Sequence, residues 1–283
     1  LSGSKDKAVP TLKCELIKDD KFKDITCFVS PEQKKRFALP NTVYGNRVIG
    51  VSISPDGKYL LTRYWNNHSL KRSYTYTTLS ELKTGKVLLS NAKEGMRWMP
   101  KSNLAYYTRK GMKGTELVTL DPTSKKENIL ASQLPEGSFS FGPTEDYLLF
   151  SIREKGPQER KEIQEILVPD DRQPGWRNRM FIHKYDLRTG LFQRLTYGHT
   201  STYINDVSQD GHYLLFSRRE PNLTERPFSR TYIYKMDLRT MHVDTLIKGE
   251  KFVSRAVFSP DATQLLVDAS GEAFDGIGLK IKE

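Results

Sequence analysis

The chain has 283 residues, a formal net charge of +11 and 37% hydrophobic residues, among them 14 Tyr and 13 Phe. The positive charge is scattered, because residues 151–180 carry seven basic and six acidic side chains, so a solvated basic surface is favoured over a nucleic-acid partner. No run of 18 apolar residues occurs, so no membrane span is expected.

Residues 1–44 are rich in lysine and irregular in pattern. We expect them to form an entry segment, or to supply strands that close a blade at the other end of the chain. Two interpretations stay open for Cys14 and Cys27: ordinary thiols on early strands, or a disulfide across a hairpin, which an exported protein would permit. The chain begins at Leu1 with the polar stretch LSGSKDKAVP, which predicts an upstream segment such as a signal peptide.

The stretch SPDGKYLL, which begins at Ser54, predicts a tight turn between two strands. Proline presets φ at the first corner, aspartate can bond its own downstream backbone, and glycine tolerates positive φ. The alternating run VIGVSI before it is typical of a strand. Related stretches are MPKSNLAYY from Met99, GPTEDYLLF from Gly142, SQDGHYLLF from Ser208 and SPDATQLLV from Ser259.

These five turns, aligned on their second residue, are spaced by 45, 43, 66 and 51 residues. A second pattern, a strand followed by a corner and another strand, recurs between these turns. It is found in SELKTGKVLL, TLDPTSKKENIL, YDLRTGLFQRLT and MDLRTMHVDTL. A repeat of about 40–50 residues that holds several short strands is typical of a propeller blade. The pattern therefore predicts an all-β fold, a β-propeller of four-stranded blades. Four to five blades are visible in residues 45–283, and we expect them to belong to a larger ring.

The third predicted blade is longer than its neighbours. The excess lies in residues 154–177, EKGPQERKEIQEILVPDDRQPGWR, and the fourth blade has a smaller insertion at Arg219–Ser229. Insertions of this kind are either surface decoration or walls of a binding cleft. Charge and a tryptophan in the larger insertion make it a plausible cleft wall. Its substrate-binding candidates are Arg153, Glu154, Glu159, Trp176 and Arg177.

Motifs for catalysis or metal binding are lacking in the sequence. No histidine belongs to a His-Glu-x-x-His pattern or pairs with cysteine at zinc spacing. The Gly50–Ser54 segment fails the Gly-x-Ser-x-Gly pattern of a nucleophile elbow at its last position. A propeller lyase or glycosidase would need a central cluster, and the histidines do not recur at matching blade positions. We therefore expect no catalytic residue, metal or cofactor in this chain.

The turn motifs SPDGKYLL, GPTEDYLLF, SQDGHYLLF and SPDATQLLV resemble the repeats of TolB-like and peptidase propellers, and YDLRTGLFQRLTYG is similar to their outer corner. Over residues 45–270 the chain resembles the amino-terminal β-propeller of a bacterial serine peptidase of the prolyl oligopeptidase family, of the dipeptidyl-peptidase type. The resemblance implies peptide substrates and an exported protein of the periplasm or cell envelope. It also implies a catalytic α/β-hydrolase domain beyond Glu283, which carries the triad.

In that resemblance the propeller gates and positions peptides without catalysing their cleavage. Dipeptidyl-peptidases hold the substrate amine with adjacent glutamates, but this chain has no Glu-Glu pair. Dipeptide release is therefore expected only if Glu159, Glu162 and Glu165 substitute for that pair, or if the pair lies further along. The alternative interpretation is a TolB-like periplasmic scaffold that binds a protein partner and has no enzyme attached.

Overall fold

The computed structural model describes residues 45–69, 72–92, 95–156, 166, 175–270 and 273–274. All regular elements in these ranges are β-strands, which confirms the predicted all-β class. The strands are β1 Gly45–Ile53, β2 Tyr59–Ser69, β3 Arg72–Glu81, β4 Val87–Ala92, β5 Arg97–Trp98, β6 Ala105–Lys110, β7 Thr115–Leu120, β8 Glu127–Leu134, β9 Ser138–Phe141, β10 Tyr147–Glu154, β11 Arg179–Asp186, β12 Phe192–Arg194, β13 Thr202–Val207, β14 Tyr213–Pro221, β15 Ser229–Asp237, β16 Val243–Glu250, β17 Val253–Phe258 and β18 Leu265–Ala269.

The strands form one antiparallel sheet after another along the chain. Four sheets have four strands each, in the orders β1-β2-β3-β4, β5-β6-β7-β8, β9-β10-β11-β12 and β13-β14-β15-β16, and β17-β18 form a two-stranded sheet. We call these sheets blades 1 to 5. Each strand pairs only with its neighbours in sequence, which is the arrangement that the repeat predicts.

Every predicted tight turn joins the first two strands of a blade. In blade 1 the Ser54 hydroxyl donates to the Asp56 carboxylate (2.6 Å) and accepts from the backbone amide of Tyr59 (2.9 Å). Ser208 and Asp210 repeat these bonds in blade 4 at 2.5 and 2.8 Å. The turn is thus closed locally, by side chains that satisfy its own backbone.

The second repeated corner joins the last two strands of a blade, at the same end of the sheet as the tight turn. The backbone amide of Leu187 donates to the carbonyl of Asp146 (2.9 Å), and that of Leu238 donates to the carbonyl of His212 (2.8 Å). The two corners of one blade are therefore hydrogen-bonded to each other. We call this side of a blade the turn end, and the opposite side the insertion end.

Hydrophobic clusters lie between successive blades. Leu148 and Phe150 of blade 3 pack with Tyr106 and Leu117 of blade 2. Clusters of buried hydrophobic side chains also lie between the other neighbouring pairs of blades. Residues of β6, β7, β10 and β14 are fully buried because both faces of these strands are covered. Each blade is therefore stabilised mainly by its neighbours, as in other stacked repeats.

The chain divides into two compact units. Of the described residues, one unit contains 45–49, 64–69 and 72–75, and here the Arg47 guanidinium lies 5.8 Å from the centre of the Trp65 ring. The other contains 50–63 and the described residues from 76 onward, including all of blades 2 to 5. Within the described ranges, the structure contains no helix of the length and apolarity that a bilayer crossing requires.

Candidate functional site

A cavity of about 530 Å³ opens at the insertion end of blades 3 to 5. Two long connections reach this end: residues 155–178 between β10 and β11, and residues 222–228 between β14 and β15. We call it the Trp176 cavity, and its described lining residues are Trp176, Asn178, Arg179, Thr200, Ser201, Tyr203, Asn205, Ser217, Arg219, Pro221 and Ser254. Its walls thus combine two aromatic rings and two guanidinium groups with amides and hydroxyls.

A second cavity of about 400 Å³ adjoins the first, since Arg179 lines both. We call it the Arg194 cavity, and its described lining residues are Glu154, Lys155, Gly156, Arg177, Arg179, Phe181, Arg194, Gly198 and His199. The Arg194 guanidinium bonds the Glu154 carboxylate at 2.8 Å and lies 3.9 Å from the centre of the Phe181 ring. Arg194 is therefore held by an ion pair and by a cation–π contact of its guanidinium group.

The base of the long connection in blade 3 is closed tightly. Gly156 donates its backbone amide to the Asn178 side-chain oxygen at 3.0 Å. A Cβ atom at Gly156 would lie 2.5 Å from the Arg177 carbonyl oxygen, so only glycine fits there. This contact places Trp176 and Arg177 at the mouths of the two cavities.

Asn205 lies at an irregularity in β13. Ile204 pairs with Phe216 and Asp206 pairs with Leu215, so Asn205 is an extra residue that has no partner in β14. The side-chain oxygen of Asn205 accepts a hydrogen bond from the Ser217 hydroxyl at 2.9 Å. Its amide nitrogen is buried and has no hydrogen-bond partner. Such bulges turn a side chain away from its regular position, and at this bulge Asn205 lines the Trp176 cavity.

Arg179 is held by backbone carbonyl groups. Its Nε donates to His199 at 2.7 Å, and its Nη1 donates to Trp176 at 2.9 Å and to Asn178 at 3.1 Å. These bonds fix the guanidinium at the first residue of β11, where the long connection returns to the sheet. The positive charge of Arg179 is thus placed by neutral acceptors.

The predicted candidates divide between the two cavities. Trp176, 42% exposed, lines the first cavity, whereas Glu154 and Arg177 line the second. Arg153 lines neither and extends toward Gly175, where a Cβ would lie 3.1 Å from its guanidinium nitrogen. Glu159, Cys14 and Cys27 lie outside the described residues.

Of the residues that line the Trp176 cavity, sequence reasoning found only Trp176, and those it missed include Arg179, Asn205 and Arg219. Arg219 begins the smaller insertion noted in blade 4, and that insertion was a usable signal. Arg179 stands two residues past the larger one. No pattern in the sequence predicts Asn205, because this residue lies at a bulge and a bulge depends on the register of two strands.

Histidine, cysteine and carboxylate side chains in the described part of the chain are the candidates for catalysis or metal binding. No cluster of three histidine, cysteine or carboxylate side chains there is suited to a metal. His183 is buried, stacks on Phe192 with ring centres 5.0 Å apart, and contacts the Phe181 carbonyl oxygen. Burial lowers the pKa of His183, which keeps its ring neutral. His183 is thus a core residue of blade 3.

The comparisons with known proteins concern the fold. No family model and no curated protein sequence matches the chain. Among solved structures, Pyrococcus horikoshii acylaminoacyl peptidase matches with a TM-score of 0.53 and 12% identity, over 80% of this chain and 35% of the peptidase. An acylaminoacyl peptidase in complex with Z-Gly-Gly-Phe-chloromethyl ketone matches with a TM-score of 0.54 and 12% identity, over 79% and 35% of the two chains.

TolB from Acinetobacter baumannii matches with a TM-score of 0.40 and 17% identity, over 78% of this chain and 48% of TolB. The chain thus spans between a third and a half of the length of each of these proteins. At such low identity a structural match establishes the fold alone. The chain is a β-propeller built of four-stranded blades in series, similar to those of the acylaminoacyl peptidases.

Proposed function

We propose that this chain is the non-catalytic propeller of an exported serine peptidase. It gates and positions peptide substrates for an α/β-hydrolase domain that follows in the same polypeptide. The observation that carries the proposal is the Trp176 cavity, to which three successive blades and one long connection contribute. Cavities of this size, about 300–1,000 Å³, are typical sites for small ligands and short peptide segments.

The chemistry of the lining supports a peptide ligand. Trp176 and Tyr203 offer rigid aromatic surface for a side chain, and both are exposed. Asparagine, serine and threonine side chains in the same wall can donate to or accept from peptide groups. Adaptable protein-binding surfaces have a similar composition, in which tryptophan and tyrosine lie among serine and asparagine.

Three histidines of the described residues are engaged with groups other than a serine or cysteine side chain: His183 contacts a carbonyl oxygen, and His212 and His242 contact neighbouring aspartates. A serine nucleophile needs a base within hydrogen-bond reach. Under this proposal the nucleophile belongs to another part of the polypeptide.

The proposal is tested by labelling the native polypeptide that carries this chain with a fluorophosphonate, beside the 283-residue chain alone. We expect the longer protein alone to be labelled, and tryptic mass spectrometry to locate the modified serine outside residues 1–283. Labelling of a serine within this chain would overturn the non-catalytic role. Failure of the native protein to label would favour the binding scaffold without an enzyme.

A further inference from the structure

The charge of the Trp176 cavity is unbalanced. Its described lining includes the guanidinium groups of Arg179 and Arg219 and no carboxylate. A cavity that encloses two positive charges among neutral groups favours a negatively charged ligand, because the field is concentrated where water is partly excluded.

Other arginines near this end of the blades are neutralised by carboxylates. Arg194 pairs with Glu154 at 2.8 Å, Arg218 pairs with Glu220 at 3.0 Å, and Arg230 pairs with Glu225. Arg179 has only backbone carbonyls as acceptors, and its Nη2 is left available. Arg219 is exposed, and its side chain forms no hydrogen bond or ion pair with any residue that the structure describes. The two arginines of the cavity therefore differ from those around it.

Asn205 adds a neutral donor to the same wall. Its buried amide nitrogen has no partner, although an unsatisfied buried donor costs about 1–3 kcal/mol. The bulge in β13 and the bond from Ser217 to its side-chain oxygen fix which way this amide is turned. This donor is closed to solvent in the structure, so a ligand oxygen would reach it through a small shift of the cavity wall.

We propose that the Trp176 cavity binds the carboxylate of a peptide. Arg219 and the free Nη2 of Arg179 bind its two oxygens, Asn205 donates from the cavity wall, and Trp176 packs against the adjoining side chain. Guanidinium and carboxylate groups match in planar geometry and charge, so this pairing is strong and directional. The inference rests on the proposed function, since it specifies which part of a peptide this site recognises.

The test uses the full chain and three probes labelled with an uncharged BODIPY dye, with binding followed by fluorescence anisotropy. The first probe is BODIPY-Gly-Ala-Phe-Ala-Phe with a free carboxylate, and the second is its C-terminal amide. The third is the amide with glutamate in place of the second alanine. We expect the free acid to bind about tenfold more tightly than the amide, the difference expected for one hydrogen-bonded charge pair. The glutamate probe tells whether a side-chain carboxylate serves as well as a terminal one.

Arg219→Gln should reduce this difference several-fold, because only the guanidinium of Arg179 then remains in the cavity. Arg219 is exposed and without described partners, so its replacement leaves the fold intact, which the melting temperature verifies. Arg188→Gln is the matched control, because it removes one exposed charge at the turn end of blade 3 and should keep the tenfold preference. Asn205→Asp is isosteric and introduces a negative charge, so it should weaken binding of the free acid more than binding of the amide.

The outcomes separate this inference from the proposed function. If acid and amide bind the native chain equally, the carboxylate site is wrong while peptide binding stands. If the preference is undiminished in Arg219→Gln, the assignment of the site to this cavity is wrong. If none of the three probes binds, both the carboxylate site and the peptide-positioning role are overturned.

Discussion

The hydroxyl of Tyr147 in blade 3 donates a hydrogen bond to the backbone carbonyl of Gly211 in blade 4, at 3.1 Å. Tyr147 is buried, and this burial raises the pKa of its hydroxyl, so the group is a neutral donor under all ordinary conditions. Gly211 is the left-handed residue of its turn, with φ at +73°. A side chain of one blade thus binds the turn of the next.

Tyr147→Phe should lower the free energy of unfolding by about 1 kcal/mol. The substitution keeps the ring and leaves the Gly211 carbonyl without its donor, and a lost bond of this kind costs about 0.5–1.5 kcal/mol. Urea unfolding followed by circular dichroism measures the change. Tyr197→Phe is the control, since this exposed tyrosine donates to the Arg194 carbonyl at 3.2 Å and should matter much less. Equal losses in the two variants would contradict the role given to Tyr147.

Ala262→Gly should raise the free energy of unfolding by about 0.5 kcal/mol. Ala262 has φ at +57°, a left-handed conformation that costs an L-residue about 1–2 kcal/mol, of which the greater chain entropy of glycine offsets part. Ala269→Gly in β18 is the matched control and should lower stability by about 0.5–1 kcal/mol. Thermal unfolding of both variants gives the signs, and a loss of stability in Ala262→Gly would contradict the strain argument.

The protein should lose stability between pH 4 and pH 2, partly through its turn aspartates. Hydrogen bonds from the Ser259 and Thr263 side chains lower the pKa of Asp261 from 3.8 to about 2. A carboxyl group whose pKa is lower in the folded state than in the unfolded state stabilises the fold at pH values above the unfolded pKa. This stabilisation is lost as the pH falls through the folded pKa. Asp56, Asp186 and Asp210 have lowered pKa values for the same kind of reason.

Ser259→Ala removes the donor that contributes most to the shift of Asp261. Acid unfolding of this variant should begin at a higher pH than that of the native chain, because the pKa of Asp261 returns toward 3.8. Fluorescence recorded during titration from pH 6 to pH 2 measures the midpoint. An unchanged midpoint, with an unchanged midpoint in Asp261→Asn as well, would show that other groups govern acid unfolding.

Trp176→Ala should weaken peptide binding by about tenfold, since buried contacts of a tryptophan in a binding site are commonly worth more than 1 kcal/mol. In the native polypeptide the expected signature is a higher KM with an almost unchanged kcat, because the residue positions substrate. Leu191→Ala removes an exposed apolar side chain at the turn end of the same blade and should change neither. A loss of kcat alone would contradict the positioning role.

The blades could be predicted from sequence because their turns are determined locally. Ser54, Asp56 and Gly57 close the turn with hydrogen bonds among themselves. The same residue types therefore predict the same turn wherever they recur in the sequence. Glu145 was not recognisable as a left-handed residue, although its φ is +65°. It is held there by contact with the turn of the preceding blade, since its carboxylate accepts from the backbone amides of Lys101 and Ser102 at 2.6 and 2.7 Å.

The candidate site was only partly predictable, for a related reason. The larger insertion indicated Trp176, because an excess of residues in one repeat is visible by comparison with the others. The Trp176 cavity, however, also needs Arg219 and Asn205, which lie in the next blade. Their meeting depends on how blades 3 and 4 pack and on one bulge in β13, and neither is encoded in any short stretch of sequence.

The two ends of the blades respond differently to insertion. Connections between the first two strands of each blade are five or six residues long, and bonds such as that from Tyr147 to Gly211 attach them to their neighbours. At the opposite end the segments 155–178 and 222–228 differ greatly in length without altering the strand order. The insertion end is therefore the one at which the propeller accommodates added segments while keeping its strand order.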